Sequence, residues 1–275
     1  MSSTTNPRGL QSNAPATIPR SRAYRDQHNW RVFQYALWGI AVVVFVIACV
    51  IVHFHPAPWP FDLQTTITVQ HLHLWAGFMA VLTFASLMND PLVSLIEYIS
   101  WFVILMLIGI IAWRLGKAAV RWFMAGIFVS VGTGVMDGLN GLASLLVGRP
   151  RPSSPLIHVY MPEPYHSFPS GHAENDLVFY GMLLYLSFTP PVRHWRYRWI
   201  LIPFQLVAFV IIAVIGYSRI LEGSHWLTDV LGGYLSGAIF LSLLIFLYNH
   251  TFDWIQYRLR RKEAEKHQQA YQATK

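Results

Sequence analysis

The sequence has few charged residues and almost no cysteine. Only 12% of its 275 residues are charged, whereas 54% are hydrophobic. A water-soluble domain usually carries about twice that share of charge, so the composition excludes an ordinary soluble globule. The single cysteine, Cys49, lies within an apolar run and excludes an internal disulfide. The composition is therefore typical of a polytopic membrane protein.

Six apolar runs are long enough to cross the hydrocarbon core, which needs about 20 residues per helix. They cover residues 33–53, 92–113, 120–147, 172–189, 199–220 and 226–249. A shorter apolar piece at 72–88 is bounded by polar residues and is interpreted as a helix in the membrane interface. We predict an all-α fold, a bundle of six transmembrane helices with this extra interfacial helical segment. The membrane domain, 32–250, would follow a disordered cytoplasmic arm, 1–31, and precede a charged cytoplasmic tail, 251–275.

Cations are absent from one long part of the chain, because no lysine or arginine occurs between Arg31 and Arg114. In the six-span arrangement, 17 of the 20 lysines and arginines fall on one face of the membrane. Cationic loops prefer the cytoplasm, so we expect a multi-pass plasma-membrane protein with both termini cytoplasmic. The net charge of +7 then reflects membrane orientation and not nucleic-acid binding. Three cations remain on the outer face, Arg149, Arg151 and Arg219.

Three short segments with the chemistry of an anion site are expected to meet on this outer face if the spans form a bundle. They are GRPRP at 148–152, FPSGHAEND at 168–176 and SRILEGSHWLTD at 218–229. Backbone N–H groups at a helix start attract anions, and Gly171 lets a phosphate approach the turn that it forms with Ser170. The guanidinium groups of Arg151 and Arg219 offer planar forks that match phosphate oxygens. The segments therefore predict a phosphate-binding site.

Two histidines in these segments suit phosphoryl transfer. His225 and Asp229 are four residues apart, which predicts one helix face on which the carboxylate holds one ring nitrogen. The other ring nitrogen then stays free as a nucleophile. His172, at the start of another predicted helix, can protonate the departing oxygen. This chemistry requires neither a metal ion nor a cofactor.

These segments resemble the signature of the type 2 phosphatidic acid phosphatase superfamily, K-x6-R-P, P-S-G-H and S-R-x5-H-x3-D. The last two parts match at every fixed position, Pro169, Ser170, Gly171, His172, Ser218, Arg219, His225 and Asp229. The resemblance extends from about residue 33 to 250 and implies the integral membrane branch, the lipid phosphate phosphatases. It implies that His225 takes the phosphoryl group, that His172 is the general acid and that Asp229 supports His225. It further implies that phosphate is bound by Arg151, Arg219, Ser170 and Gly171.

The first part of the signature departs from the pattern, because Ser144 stands where the family has its lysine. Two readings are open: Arg149 supplies the missing charge, or Ser144 donates a weaker hydrogen bond. Arg149 and Ser144 are therefore both candidate phosphate-binding residues. Electrostatic stabilisation of this kind is often worth roughly 3 to 4 kcal/mol, so the loss of one cation is expected to lower the efficiency of hydrolysis.

Other polar residues near the motifs have alternative interpretations. Asp137, Asn140 and Ser144 form a polar stripe at helical spacing along the third apolar run. Such a stripe is either a wall of the active pocket or a hydrogen-bonded seam between helices. Glu222 follows Arg219 closely, and its plain interpretation is an ion pair with a nearby arginine.

The expected function is metal-independent hydrolysis of a lipid phosphate or pyrophosphate through a phosphohistidine intermediate at the outer membrane face. Polyprenyl pyrophosphate, phosphatidylglycerol phosphate and phosphatidic acid are the substrate types that the resemblance implies. Two alternatives stay open, a phosphotransferase that uses a lipid or sugar hydroxyl as acceptor and a catalytically weak lipid-phosphate binding or transport protein. The expected partners are the lipid substrate and the bilayer, with no nucleic acid; the oligomeric state does not follow from the sequence.

Overall fold

The computed structural model describes residues 20–273 except Met161, with side chains from residue 29 to 272. These described residues form nine α-helices and no strand, which confirms the predicted all-α class. The helices are α1 Arg20–Phe54, α2 Pro60–His71, α3 Ala76–Met88, α4 Pro91–Arg114, α5 Val120–Ile127, α6 Thr133–Val147, α7 Gly171–Phe188, α8 Ile202–Leu221 and α9 Leu227–Ala273. A π-helical turn, Phe128–Gly132, joins α5 to α6.

Helix α1 begins inside the segment for which composition predicts disorder. Residues 20–31 of that segment are helical, and residues 1–19 lie outside the described part. The segment's last proline is Pro19, so nothing in residues 20–31 removes a backbone donor from the helix. Internal contacts divide the chain into two compact units after Ile40, and the helix packing and the site described below belong to the second unit, from Ala41 onward.

Five helical segments of the described chain are long and apolar enough to cross a membrane. They are Asn29–Phe54, Pro91–Arg114, Val120–Val147, Arg198–Leu221 and Leu227–Gln272. The protein is therefore a multi-pass membrane protein, as predicted. The predicted span at 172–189 corresponds to the 18-residue helix α7, whose first turns carry His172, Glu174 and Asp176. Because these side chains lower its hydropathy, α7 does not qualify by composition, and the predicted count of six spans is not confirmed.

Helix α7 is the central helix of the second unit. It packs against α6, α8 and α9. Val178, Phe179 and Met182 on this helix are at most 1% exposed. Protein surrounds α7 on several sides, so it does not need the uniformly apolar surface that contact with lipid requires. Apart from Phe188 at the end of α7, the large exposed apolar side chains of the described helices lie on other helices, such as Ile99 and Leu107 of α4.

Two short helices precede α4. Helix α3, with 13 residues, confirms the helical prediction for 72–88 and is too short to span a bilayer. Helix α2 is not predicted by the sequence pattern. It starts with Pro60, a residue favoured in the first helical turn, and Asp62 accepts a hydrogen bond from the Trp59 N–H at 3.3 Å. Because α2 packs against α8 and α9, it brings the buried Asp62 side chain toward the motif segments.

Candidate active site

The three motif segments come together where helices α6 to α9 end or begin. Helix α6 ends at Val147, and Gly148 adopts a left-handed conformation, φ 68°, that turns the chain into the GRPRP segment. Helix α7 begins directly after Ser170, whose hydroxyl accepts a hydrogen bond from the Ala173 N–H. The close packing of α9 against this turn requires Gly233, because a Cβ there would lie 2.4 Å from the Ser170 carbonyl oxygen.

His225 is fully buried, and both of its ring nitrogens have defined partners. Its Nδ1 lies 2.8 Å from the Ser167 carbonyl oxygen, and its Nε2 lies 2.8 Å from Nη1 of Arg151. A guanidinium group can only donate, so Nε2 is the acceptor and the proton of the neutral ring is assigned to Nδ1. The Nε2 lone pair therefore points toward Arg151, where an anion would bind. This geometry matches that of a histidine nucleophile.

Asp229 does not hold His225 in the predicted way. The distance between its Oδ2 and Nδ1 of His225 is 3.8 Å, which is too long for a hydrogen bond. Helix α9 begins only at Leu227, so His225 precedes the helix and the two residues do not share a helical face. Oδ2 of Asp229 instead accepts hydrogen bonds from the Ser167 hydroxyl and, at 2.8 Å, from the Trp226 N–H. Asp229 thus supports His225 indirectly, by fixing the residue whose carbonyl orients the ring.

His172 lies in the first turn of α7 and faces His225. The two ring centroids are 5.9 Å apart, with an angle of 71° between the ring planes. The turn before α7 is tied to α9 because the Ser170 N–H donates to the Asp229 carbonyl oxygen at 3.0 Å. The predicted nucleophile and the predicted general acid are thus brought together on opposite sides of one small site.

Arg151 and Arg219 converge on a residue that sequence reasoning missed, Glu163. Oε2 of Glu163 lies 2.6 Å from Nη2 of Arg151, and its Oε1 lies 3.8 Å from Nη1 of Arg219. Arg219 also pairs with Glu222 at 2.8 Å, which confirms the predicted ion pair of that glutamate. Loop glutamates between motifs are usually solvated, so nothing in the sequence marks Glu163 as part of a site.

Glu163, His172 and His225 each direct a ligand atom into the same space, and these atoms lie within 4.8 Å of one another. By distance alone, this set could hold a divalent cation. However, Nη1 of Arg151 donates to Nε2 of His225 at 2.8 Å, and Arg219 lies on the other side of Glu163. Two permanent positive charges disfavour a cation and favour an anion in this position.

Arg149 is not among the residues that face this anion site, contrary to the prediction. Its guanidinium group is fully buried and pairs with Asp62 at 3.0 Å and with Asp229 at 2.5 Å. It also donates to the Thr228 hydroxyl at 2.7 Å. With its donors committed to these groups, Arg149 cannot replace the missing lysine, and its role is to hold Asp229 in position. The sequence could not indicate this, because the α2 partner Asp62 lies 87 positions earlier in the chain.

One residue of the polar stripe of α6, Asn140, follows the interpretation as a seam between helices. The Asn140 side chain is buried and its Oδ1 accepts a hydrogen bond from the Ser236 hydroxyl of α9 at 2.9 Å, which is a seam between helices. Asp137 is exposed at the surface of the protein. Ser144 is half-buried in the last turn of α6, and its contact with phosphate remains a prediction.

Comparison with known proteins gives three matches. Residues 122–253 match the model of the PAP2 superfamily. Over 133 residues, 45% of this chain, the sequence is 34% identical to a protein named phosphatidylglycerophosphatase B from Bacillus subtilis (strain 168), and the match spans 56% of that relative's length. The fold is similar to the crystal structure of the first transmembrane PAP2 type phosphatidylglycerolphosphate phosphatase from Bacillus subtilis. That likeness has a TM-score of 0.55 at 20% identity and covers 78% of this chain and 96% of the other.

Proposed function

Because residues 122–253 match the PAP2 superfamily, we propose that this protein is a member of that superfamily, a lipid phosphate phosphatase that works through a phosphohistidine intermediate. The observation that carries the proposal is the environment of His225. Its Nε2 accepts a hydrogen bond from Arg151 and faces a site formed by two arginines and His172. A neutral nucleophile beside two permanent cations is suited to attack a bound phosphate.

The reaction proceeds in two steps. In the first, Nε2 of His225 attacks the terminal phosphorus in line with the leaving oxygen, the bond between phosphorus and that oxygen breaks, and protonated His172 gives its proton to the oxygen. In the second, neutral His172 takes a proton from water, which attacks the phosphohistidine. The bond between phosphorus and Nε2 then breaks, and inorganic phosphate leaves. The negative charge of the bound phosphate favours the protonated form of His172 in the first step.

The phosphate is held by charge and by backbone donors. Arg151 and Arg219 bind its non-bridging oxygens, replacing their present contacts with Glu163. Arg151 at the same time gives up its hydrogen bond to Nε2 of His225, which frees the lone pair for attack. The Ser170 N–H already donates to Asp229, so we assign the anion seat at the start of α7 to the N–H groups of Gly171 and His172. Ser170 itself acts as the helix cap.

The substrate types that we propose are phosphatidylglycerol phosphate, phosphatidic acid and polyprenyl pyrophosphate. Phosphatidylglycerol phosphate comes first because the curated relative is named for it. We assign the site to the outer face of the plasma membrane, with both termini cytoplasmic, because 17 of the 20 lysines and arginines fall on the opposite face of the predicted arrangement.

Phosphate release by the detergent-purified protein tests this function. We expect release from at least one lipid of a panel of glycerolipid and polyprenyl phosphates, at an unchanged rate when EDTA is present. No step requires a metal ion, since two arginines and two histidines supply the charge and the proton transfers. Activity that EDTA removes and a divalent cation restores would contradict the proposal.

The pH dependence of kcat/KM is a further expected result. Burial lowers the pKa of His225 below its ordinary value of 6.5, and Arg151 acts in the same direction, whereas Asp229 and Glu163 oppose them. Only the unprotonated ring is nucleophilic, so kcat/KM should fall with decreasing pH along a limb whose midpoint lies below pH 6.5. The limb should keep its position for two substrates whose phosphates ionise at different pH values. A midpoint above pH 6.5, or a midpoint that shifts with the pKa of the substrate phosphate, would contradict the assignment of this limb to His225.

The serine at position 144 favours a second candidate function, that of a weakly catalytic protein that binds lipid phosphate. The family lysine is replaced by this serine, and Arg149 is engaged elsewhere, so the site has one cation fewer than the family pattern. A wild-type protein that binds lipid phosphate without releasing phosphate, together with recovered release in Ser144→Lys, would favour the binder. The phosphotransferase alternative predicts a new phosphorylated product that depends on an added lipid or sugar alcohol.

A further inference from the structure

The anion site of this protein already contains an anion from its own chain. The two carboxylate oxygens of Glu163 face different arginines, Oε2 at 2.6 Å from Arg151 and Oε1 at 3.8 Å from Arg219. The same carboxylate lies beside the ring nitrogens of His172 and His225. A phosphate that His225 attacks must direct its oxygens to these same groups. Glu163 and a substrate phosphate therefore cannot occupy the site together.

The segment that carries Glu163 is held on both sides of it. Pro162 and Pro164 flank the glutamate directly and fix the backbone φ angle at both neighbours. The Tyr165 carbonyl oxygen accepts a hydrogen bond from Nε of Arg151 at 2.9 Å, and the Tyr160 N–H donates to the Glu222 carbonyl oxygen at 3.0 Å. The carboxylate is thus presented to the arginines by a restrained segment.

Glu163 can nevertheless leave the site. Its side chain is 23% exposed, whereas His225 is fully buried, so a rotation about its side-chain bonds can move the carboxylate into solvent. Because the carboxylate belongs to the same chain, its effective concentration at the arginines is high and does not depend on the solution.

We propose that Glu163 is an internal competing ligand that closes the phosphate site at rest and sets its affinity for every phosphate anion. The proposal rests on the proposed function. If the site is open for only a fraction of the time, the apparent Kd of each ligand equals its intrinsic Kd divided by that fraction. Glu163 therefore raises the KM of the lipid substrate and, by an equal factor, weakens inhibition by the product phosphate. Its return to the arginines favours release of the product.

Glu222 provides a matched comparison on the same arginine. Glu222 lies three residues after Arg219 in the chain, and its Oε2 is 2.8 Å from Nη2 of that arginine. The Ser218 hydroxyl donates a hydrogen bond to its Oε1 at 3.0 Å. Its partners are therefore local to the end of α8, and it is not part of the group formed with the two histidines. Removing its charge leaves the carboxylate of Glu163 in the anion site.

The test is equilibrium binding to the full-length protein in detergent at pH 8, by calorimetry, for wild type, Glu163→Gln and Glu222→Gln. The probes are inorganic phosphate, a dianion at this pH, and dimethyl phosphate, a monoanion. We expect Glu163→Gln to tighten binding of both probes by the same factor, about tenfold or more given the strength of charge-assisted hydrogen bonds. Glu222→Gln should not give this equal tightening.

Two results would overturn the inference. Unchanged or weaker phosphate binding in Glu163→Gln would mean that the glutamate is structural. Tightening that is clearly larger for the dianion would mean that Glu163 stays beside the bound ligand as a repelling charge. Because binding is measured without turnover, equal tightening with no lipid hydrolysis would sustain this inference and reject the proposed function. Lipid hydrolysis by the wild type without equal tightening in Glu163→Gln would sustain the proposed function and reject this inference.

Discussion

Replacing His225 by alanine is expected to abolish lipid phosphate hydrolysis, with kcat lowered by about 10⁴-fold or more, because no other group in the site takes the phosphoryl group. The Nε2 lone pair, held toward Arg151, is the only nucleophile that this mechanism uses. Phosphate release from the best lipid of the panel, measured at saturating substrate, checks the result. A loss below about tenfold would contradict the assigned role.

Two companion variants make this result specific. His267→Ala removes an exposed histidine of the distal part of α9 and should leave the rate unchanged. His172→Ala should lower kcat/KM strongly for lipid phosphates and much less for nitrophenyl phosphate, because kcat/KM reports the step in which the leaving group departs and a good leaving group does not need a general acid. An equal loss of kcat/KM for both substrates in His172→Ala would mean that this histidine does not protonate the leaving oxygen.

Replacing Arg149 by leucine is expected to destabilise the protein by about 3 to 5 kcal/mol, the usual cost of leaving buried charges without their partner. Asp62 and Asp229 are fully buried and would both lose the guanidinium group that lies 3.0 and 2.5 Å away. The measurement is the denaturant or thermal unfolding of the purified protein in detergent. Activity should fall as well, because Asp229 positions the segment that orients His225.

The matched control is Arg261→Leu. Arg261 pairs with Glu265 at a similar distance, 2.8 Å, but both side chains are more than half exposed. Exposed pairs on one helix are worth less than about 1 kcal/mol, so this variant should unfold like the wild type. If Arg149→Leu kept wild-type stability and instead raised KM for every phosphate ligand, Arg149 would be a phosphate ligand, as the sequence alone predicts.

The comparison of Arg149 with Arg151 shows what the sequence could reveal about this site. Both arginines directly precede a proline in GRPRP, and no local pattern separates the one that faces the anion site from the one buried behind it. Arg149 is buried because it pairs with Asp62, which lies on α2, a helix that the sequence pattern does not predict. Local motifs identify residue types and spacing, whereas the partner of a buried charge is set by long-range packing.

Asp229 and Glu163 illustrate two other limits. The spacing of four between His225 and Asp229 indicates one helix face only if the helix includes both residues, and α9 starts two residues after His225. The orienting acceptor is instead a backbone carbonyl, that of Ser167, which side-chain patterns cannot reveal. Glu163 is a charged loop residue, and only its position between two arginines distinguishes it from a solvated one.

In the proposed mechanism His225 carries the phosphoryl group during turnover. Rapid quenching in alkali with a lipid substrate radiolabelled in its terminal phosphate tests this most directly. We expect a labelled protein, stable to alkali and labile to acid, that forms before phosphate is released and is absent from His225→Ala. Phosphate release by the wild type without any labelled protein at the earliest times, or a label that persists in His225→Ala, would contradict it.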